Sequence, residues 1–189
     1  MPKLKIDRHY EGQFLPDTYH FPKHITDIEF LKRAYTSMQT VLQREWDKRA
    51  VGLVYKNPYE ALIMASIIEK ETGHASERQQ ISGVFLRRLD KRMRLQTDPT
   101  VIYGMGNDFK GNLRKRDLLH DTPYNTYRRY GLPPTPIALP GKDAIYAALH
   151  PAEGDALYFV ARGNGSHQFS ATLKEHNDAV IKYQLKGRA

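Results

Sequence analysis

The sequence predicts an α+β fold, rich in helix, with a small antiparallel β element and a long loop-rich central segment. Three features predict it. Helical apolar periodicity runs through residues 26–92, two short β-type runs flank GNGS near the C-terminus, and a segment rich in Gly, Pro, Asn, Asp and Tyr separates them. With 189 residues, the chain is the size of one domain. Hydrophobic residues make up 40% and charged residues 26%, with no low-complexity tract, which places the chain with folded globular proteins and not with disordered ones.

We read residues 1–189 as a single domain. Residues 1–25 are a lead-in, in which Phe14, Pro16 and Asp17 suggest an ordered loop. Residues 26–92 form the helical part. Thr26 and Glu29 make a capping box ahead of apolar positions at Leu31, Ala34, Tyr35, Met38, Leu42 and Trp46, a long amphipathic helix ending near Arg49. In the second helix, Asn57 caps, Pro58 suits the first turn and Gly73 the C-terminal cap. A third helix starts at Ser76, with Gln79 closing a capping box, buries Ile81, Val84, Phe85 and Leu89, and stops near Arg92.

Residues 93–140 read as loop, with at most a short helix around Arg116 to Leu119, and a loop that long in a compact domain is often functional. Residues 141–189 hold a helix from Lys142 to Leu149, a hairpin made by LYFVAR and HQFSAT with Gly at the turn, and a closing helix capped by Thr172 and Glu175 that runs to about Leu185.

The formal charge of +8 favours a polyanionic partner without choosing between nucleic acid, anionic lipid and an acidic wall polymer. Much of it reads as solvated surface: Arg87, Arg88, Lys91 and Arg92 on a helix, and Arg114, Lys115 and Arg116 in a loop. The chain has no Cys, which removes disulfides, thiolate metal sites and a Cys nucleophile. Its eight His residues are scattered without an HExxH pair, so no metal and no cofactor is expected. No run approaches about 18 consecutive apolar residues, and the first residues lack the apolar stretch of a signal peptide.

Glu71 is the candidate catalytic residue. At about 100° per residue it projects about 20° from Met64, between Ile67 and Ile68, while Glu69 lies on nearly the opposite side. Apolar neighbours and the negative end of the helix dipole both disfavour the ionised carboxyl, so its pKa should rise. A carboxyl still protonated near neutral pH can protonate a glycosidic oxygen and afterwards act as a base. A Glu on an apolar face can equally reach solvent or pair with an Arg such as Arg78 or Arg88.

Three loop clusters could line a cleft: Gln96, Thr97, Asp98 and Tyr103; Tyr124, Asn125, Thr126 and Tyr127; and His150. A glycan site needs amides and hydroxyls beside aromatic surfaces, and these clusters supply both. Local turn chemistry is the competing explanation for Asp98 before Pro99 and for Asn125.

The run ASIIEKETGHASERQQISGVFLRRLDKRMRLQTDPTVIYGMG, residues 65–106, resembles the signature of the endolytic murein transglycosylase family, the YceG-like proteins. PYNTYRRYGLPPTPIALPG, HPA, LYFVARGNGSHQFS, TLKEHNDAV and the lead-in EGQFLPDTY extend the resemblance over nearly the whole chain. It implies that Glu71, the second Glu of EKET, is the catalytic acid. It implies non-hydrolytic cleavage of the β-1,4 bond between N-acetylmuramic acid and N-acetylglucosamine in nascent peptidoglycan strands, leaving 1,6-anhydro ends that terminate elongation. Glu71 would then help deprotonate the muramoyl C6 hydroxyl as it attacks C1. Attack by the substrate's own hydroxyl accounts for the lack of a paired second carboxylate; Asp98 is the fallback candidate.

Family members carry an N-terminal membrane anchor and a LysM-like region. The resemblance therefore implies an excised C-terminal catalytic part of a parent held in the bacterial inner membrane, with this domain on the periplasmic side near peptidoglycan synthases. A non-catalytic peptidoglycan-binding module is the alternative class. Nucleic-acid binding rests on charge alone, and no helix-turn-helix, zinc-ligand or RNA-binding motif supports it.

Overall fold

The computed structural model describes Ile6 and residues 8–185; the remaining lead-in residues, 1–5 and 7, and the end of the chain, 186–189, lie outside them. The architecture is α+β. The helices are α1 (Asp27–Asp47), α2 (Pro58–Glu71), α3 (Arg78–Asp90), α4 (Asp98–Met105), α5 (Lys115–Leu119), α6 (Lys142–Leu149) and α7 (Leu173–Val180). Strands β1 (Tyr158–Ala161) and β2 (His167–Ser170) form a two-stranded antiparallel sheet with Ala161 opposite His167.

Helix α2 is buried on every side along its middle. All eight residues from Ala61 to Ile68 are enclosed, so its two middle turns behave as a core helix and not as an amphipathic one. Each large aliphatic among them contributes about 1.5–3 kcal/mol relative to exposure. Helix α6 packs most extensively on α2, and α1 and α3 add Met38, Leu42, Ile81 and Phe85 to the same core. Carboxylates return at the last turn of α2. There Glu69 accepts a hydrogen bond from the Gly141 backbone (3.0 Å), and Glu71 ends the helix.

The predicted starts of α1 and α7 are found, with both halves of each capping box present. Asn57 caps α2 with Pro58 in its first turn. The N-terminal part of α1 differs from expectation, because Leu31 is exposed while Phe30 packs edge-on against Tyr19 and Phe21 of the lead-in. The lead-in is an ordered loop where described: the Leu15 backbone donates to Ala34 O, and Asp17 pairs with Lys142.

Several local expectations are corrected. Gly73 does not cap α2; Thr72 leaves the helix in extended conformation and accepts from the His74 backbone. The third helix is preceded by a 3₁₀ turn, Ala75–Glu77, and Gln79 closes no capping box because its amide donates to His150 O at 2.7 Å. The central segment holds α4 besides the expected short helix α5. Pro99 sits in the first turn of α4, where its missing N–H has no partner to lose, so Asp98-Pro99 starts a helix instead of a turn.

The hairpin forms as expected, with left-handed glycines at Gly163 (φ 86°) and Gly165 (φ 85°). Helix α7 continues as a π-helical turn over Ile181–Leu185 and packs on both strands. The hairpin and α7 together stand opposite the end of α2.

Candidate active site

A cleft of about 560 Å³ opens at the C-terminal end of α2. Glu71, Gln96, Asp98 and Tyr127 line one part of it, Arg88 and Leu95 another, and the hairpin and α7 contribute Tyr158, Phe159, His167 and His176.

Glu71 keeps partial solvent access at this cleft. Burial pushes its carboxyl above the ordinary range; a hydrogen bond from Thr97 and, when protonated, the His167 imidazole oppose the shift, and Asp98 adds to it. The helix projection anticipated this environment. Neither Arg proposed as a partner for Glu71 takes that role: Arg78 pairs with Asp143, and Arg88 serves backbone carbonyls.

Thr97 is only 2% exposed, and its hydroxyl donates to Glu71 Oε2 at 2.7 Å. Its backbone N–H donates to Thr126 Oγ1 at 3.1 Å, and Thr126 Oγ1 lies 2.9 Å from Thr100 Oγ1, a buried hydroxyl cluster that fixes Thr97 from behind. Gln96 holds a left-handed backbone (φ 52°), a conformation that costs a non-glycine residue roughly 1–2 kcal/mol. Its N–H donates to Thr126 O, which helps hold the kink that turns Thr97 toward Glu71. Asp98, in the first turn of α4, accepts a hydrogen bond from the Tyr127 hydroxyl at 2.5 Å. Burial, followed by that carboxylate, keeps the Tyr127 phenol protonated.

The other sequence-selected residues stand elsewhere. Asn125 is fully buried, with its amide donating to the carbonyls of Asp117, Leu118 and His120 and its Oδ1 accepting from the Tyr127 backbone. It folds the loop that presents Tyr127. Tyr103 and Tyr124 pack against each other (4.9 Å between centroids) and bond to Glu11 and Thr135. His150 stacks on Tyr146 near Glu45. None of these four lines the Glu71 cleft.

Arg88 is corrected from surface charge to cleft residue. It is 8% exposed; Nε donates to Leu157 O (2.6 Å) and Nη1 to Leu95 O (2.9 Å) and Arg94 O (3.2 Å), tying the 94–96 kink to the start of the hairpin. Arg87 likewise bonds to the carbonyls of Ala156 and Ala152. The spacing of Arg88 from Phe85 and Val84 on the buried face of α3 was the available signal. His167, Tyr158 and His176 were not selected from sequence, because only tertiary packing brings the hairpin and α7 to Glu71. Among the described residues, no group of three or more His, Cys, Asp or Glu side chains is placed to hold a metal ion.

The arrangement offers one carboxyl biased toward its protonated form, a hydroxyl that orients it, and aromatic and imidazole surfaces across the cleft. That equipment suits proton donation to a leaving oxygen.

Known proteins resemble this chain over most of its length. Residues 2–182 match the model of the YceG-like family. A Bacillus subtilis (strain 168) protein named endolytic murein transglycosylase is 42% identical over 177 residues, covering 92% of this chain and 48% of that protein. A Streptococcus pneumoniae (strain D39) protein of the same name is 30% identical over 182 residues, covering 94% of this chain and 33% of its own. The chain thus spans about half the length of the first and about a third of the second. A crystal structure of a YceG-like protein from Listeria monocytogenes superposes with a TM-score of 0.76 at 38% identity, covering 88% of this chain and 54% of that one. No helix among the described residues is long and apolar enough to cross a membrane. The chain belongs to the YceG-like family.

Proposed function

We propose that residues 1–189 act as a single catalytic domain, a lytic transglycosylase that cuts the glycan strands of peptidoglycan, with Glu71 as its acid. The observation that carries this reading is the Glu71 carboxyl, raised in pKa by burial, hydrogen-bonded by Thr97 and open to a cleft. The names of the Bacillus and Streptococcus relatives support the substrate and reaction class.

In this reading the bond cut is the β-1,4 linkage between N-acetylmuramic acid and N-acetylglucosamine. Glu71 protonates the departing oxygen while the muramoyl C6 hydroxyl attacks C1, so a 1,6-anhydro end forms and no water is consumed. Cutting nascent strands in this way ends their elongation. A second carboxylate facing an activated water is then unnecessary, which fits Asp98 being engaged by the Tyr127 hydroxyl. Gln96, Thr97, Asp98 and Tyr127 are the proposed contacts nearest the scissile bond. Tyr103, Tyr124, Asn125, Thr126 and His150 support that part of the fold or more distant sugar units. The parent protein's inner-membrane anchor, periplasmic placement and proximity to peptidoglycan synthases belong to the same proposal.

The test is to incubate the protein with uncrosslinked glycan strands and weigh the fragments. Anhydro-ended products support the reading. Fragments heavier by one water contradict it.

A further inference from the structure

Opposite Glu71, the cleft wall carries a second group equipped to move a proton. His167 sits at the start of β2 and lines the cleft, although it lies ninety residues from its partner Glu77 in the 3₁₀ turn before α3. Its ring Nδ1 is 2.7 Å from Glu77 Oε2, and its backbone N–H donates to Glu77 Oε1 at 2.9 Å. Both side chains are mostly buried, at 13% and 12% exposed. Phe159 packs edge-on against the imidazole at 5.4 Å, which holds the ring plane.

The chemistry of the pair fixes the tautomer. Burial alone would raise the Glu77 carboxyl, but hydrogen bonds from the His167 ring and backbone outweigh it and keep Glu77 below the usual range. An ionised carboxylate only accepts, so Nδ1 carries the proton and donates it to Glu77. Neutral His167 therefore bears its lone pair on Nε2, for which no hydrogen-bond partner exists among the described residues. The other cleft imidazole, His176, has no carboxylate partner among the described residues; it stacks on Tyr158.

We propose that His167, oriented by Glu77, is the base that removes the proton from the attacking hydroxyl of the glycan. The inference rests on the transglycosylase reading above. As O6 of the muramoyl unit attacks C1, the C6 hydroxyl proton passes to His167 Nε2, the C1–O6 bond forms and the C1–O4 bond breaks. Glu71 gives its proton to O4 of the departing N-acetylglucosamine. The step leaves a Glu71 carboxylate and a His167 imidazolium, and return of that proton from His167 to Glu71 restores the starting state. The family resemblance assigns the hydroxyl proton to Glu71 as well. Dividing the two transfers removes the need for one carboxyl to serve oxygens on two sides of C1.

Charged and titratable groups also stand on the elements around His167. They are Glu71 from α2, His74 and Glu77 from the turn before α3, Arg88 from α3, Asp98 from α4, and Arg162 and His176 beyond the strands.

The test is the pH dependence of kcat and KM for anhydro-end formation from uncrosslinked strands. The unaltered protein should show a bell, because the step needs His167 without its second proton and Glu71 with its own. His167→Gln should lower kcat roughly 10²–10⁴-fold, the range general-base removal gives, with little change in KM and one limb of the bell lost. Glu77→Gln keeps an acceptor for Nδ1–H but removes the charge that favours imidazolium, so the limb that is lost in His167→Gln should move to lower pH. A His167→Gln protein within twofold of the unaltered rate and retaining both limbs overturns the proposal. If His167→Gln does not fold, the Glu77→Gln profile decides, and a profile with neither limb moved overturns it. Failure of the unaltered protein to make anhydro ends at any pH contradicts the transglycosylase reading itself.

Discussion

The Thr97 hydroxyl donates a 2.7 Å hydrogen bond to Glu71 Oε2, joining the segment before α4 to the end of α2. This bond favours the ionised carboxyl and opposes the larger effect of burial. It also fixes the direction in which the acid points. Thr97→Val retains the backbone bond to Thr126 and removes only the hydroxyl. The pKa of Glu71 should then rise further, moving the falling limb of the pH–rate profile to higher pH. The plateau rate should drop roughly 10-fold from lost orientation, and the full profile of anhydro-end formation reads both effects.

Glu71 also links pH to stability. Its folded pKa is raised, so its carboxyl contributes fully below the unfolded value, about 4.3, and that contribution is lost as pH rises through the folded pKa. Glu71→Gln cannot ionise. The variant should therefore gain thermal stability relative to the unaltered protein as pH goes from 4 to 8, measured as the difference in Tm at each pH. A difference that is constant with pH would contradict the raised pKa.

Asn125 donates to three carbonyls from a fully buried position. Asn125→Ala removes the donor that serves the Leu118 and His120 carbonyls, and an acceptor left unpaired costs about 1–3 kcal/mol if it stays dry. Urea unfolding should show a loss of at least about 2 kcal/mol. The KM of the folded variant for glycan strands should change little, because Asn125 is not part of the cleft lining.

Gly83 lies in the interior of α3, where Ala is ordinarily favoured over Gly by about 1 kcal/mol. Here an added Cβ would stand 2.5 Å from Ala152 O, a backbone atom that cannot swing aside, and 2.8 Å from Arg87 Nη1. Overpacking of this kind costs about 1–3 kcal/mol and exceeds the helix gain. Gly83→Ala should lower the urea midpoint.

Local rules carried much of the fold. Capping boxes at Thr26 and Thr172, the Asn57-Pro58 start of α2 and the Gly turn of the hairpin depend on residues within a few positions of one another, and the sequence displays them directly. Helix α4 was hidden because it is eight residues long, contains Gly104 and begins at an Asp-Pro pair that also starts turns. Charge was a poor guide at Arg88, whose carbonyl partners lie at positions 94, 95 and 157. One wall of the site was legible through the projection of Glu71 and the TDPT and YNTY clusters. The opposite wall was not, since His167 meets Glu77 across ninety residues and the Glu71 cleft only when the hairpin and α7 dock.

If Glu71 supplies the proton that lets the glycosidic oxygen leave, Glu71→Gln loses that step. The initial rate of new chain-end formation by Glu71→Gln is measured beside the unaltered protein, on the same uncrosslinked strands, with folding of both verified by circular dichroism. The rate should fall at least about 10²-fold, the size general-acid removal gives. Undiminished turnover by Glu71→Gln would contradict that role of Glu71.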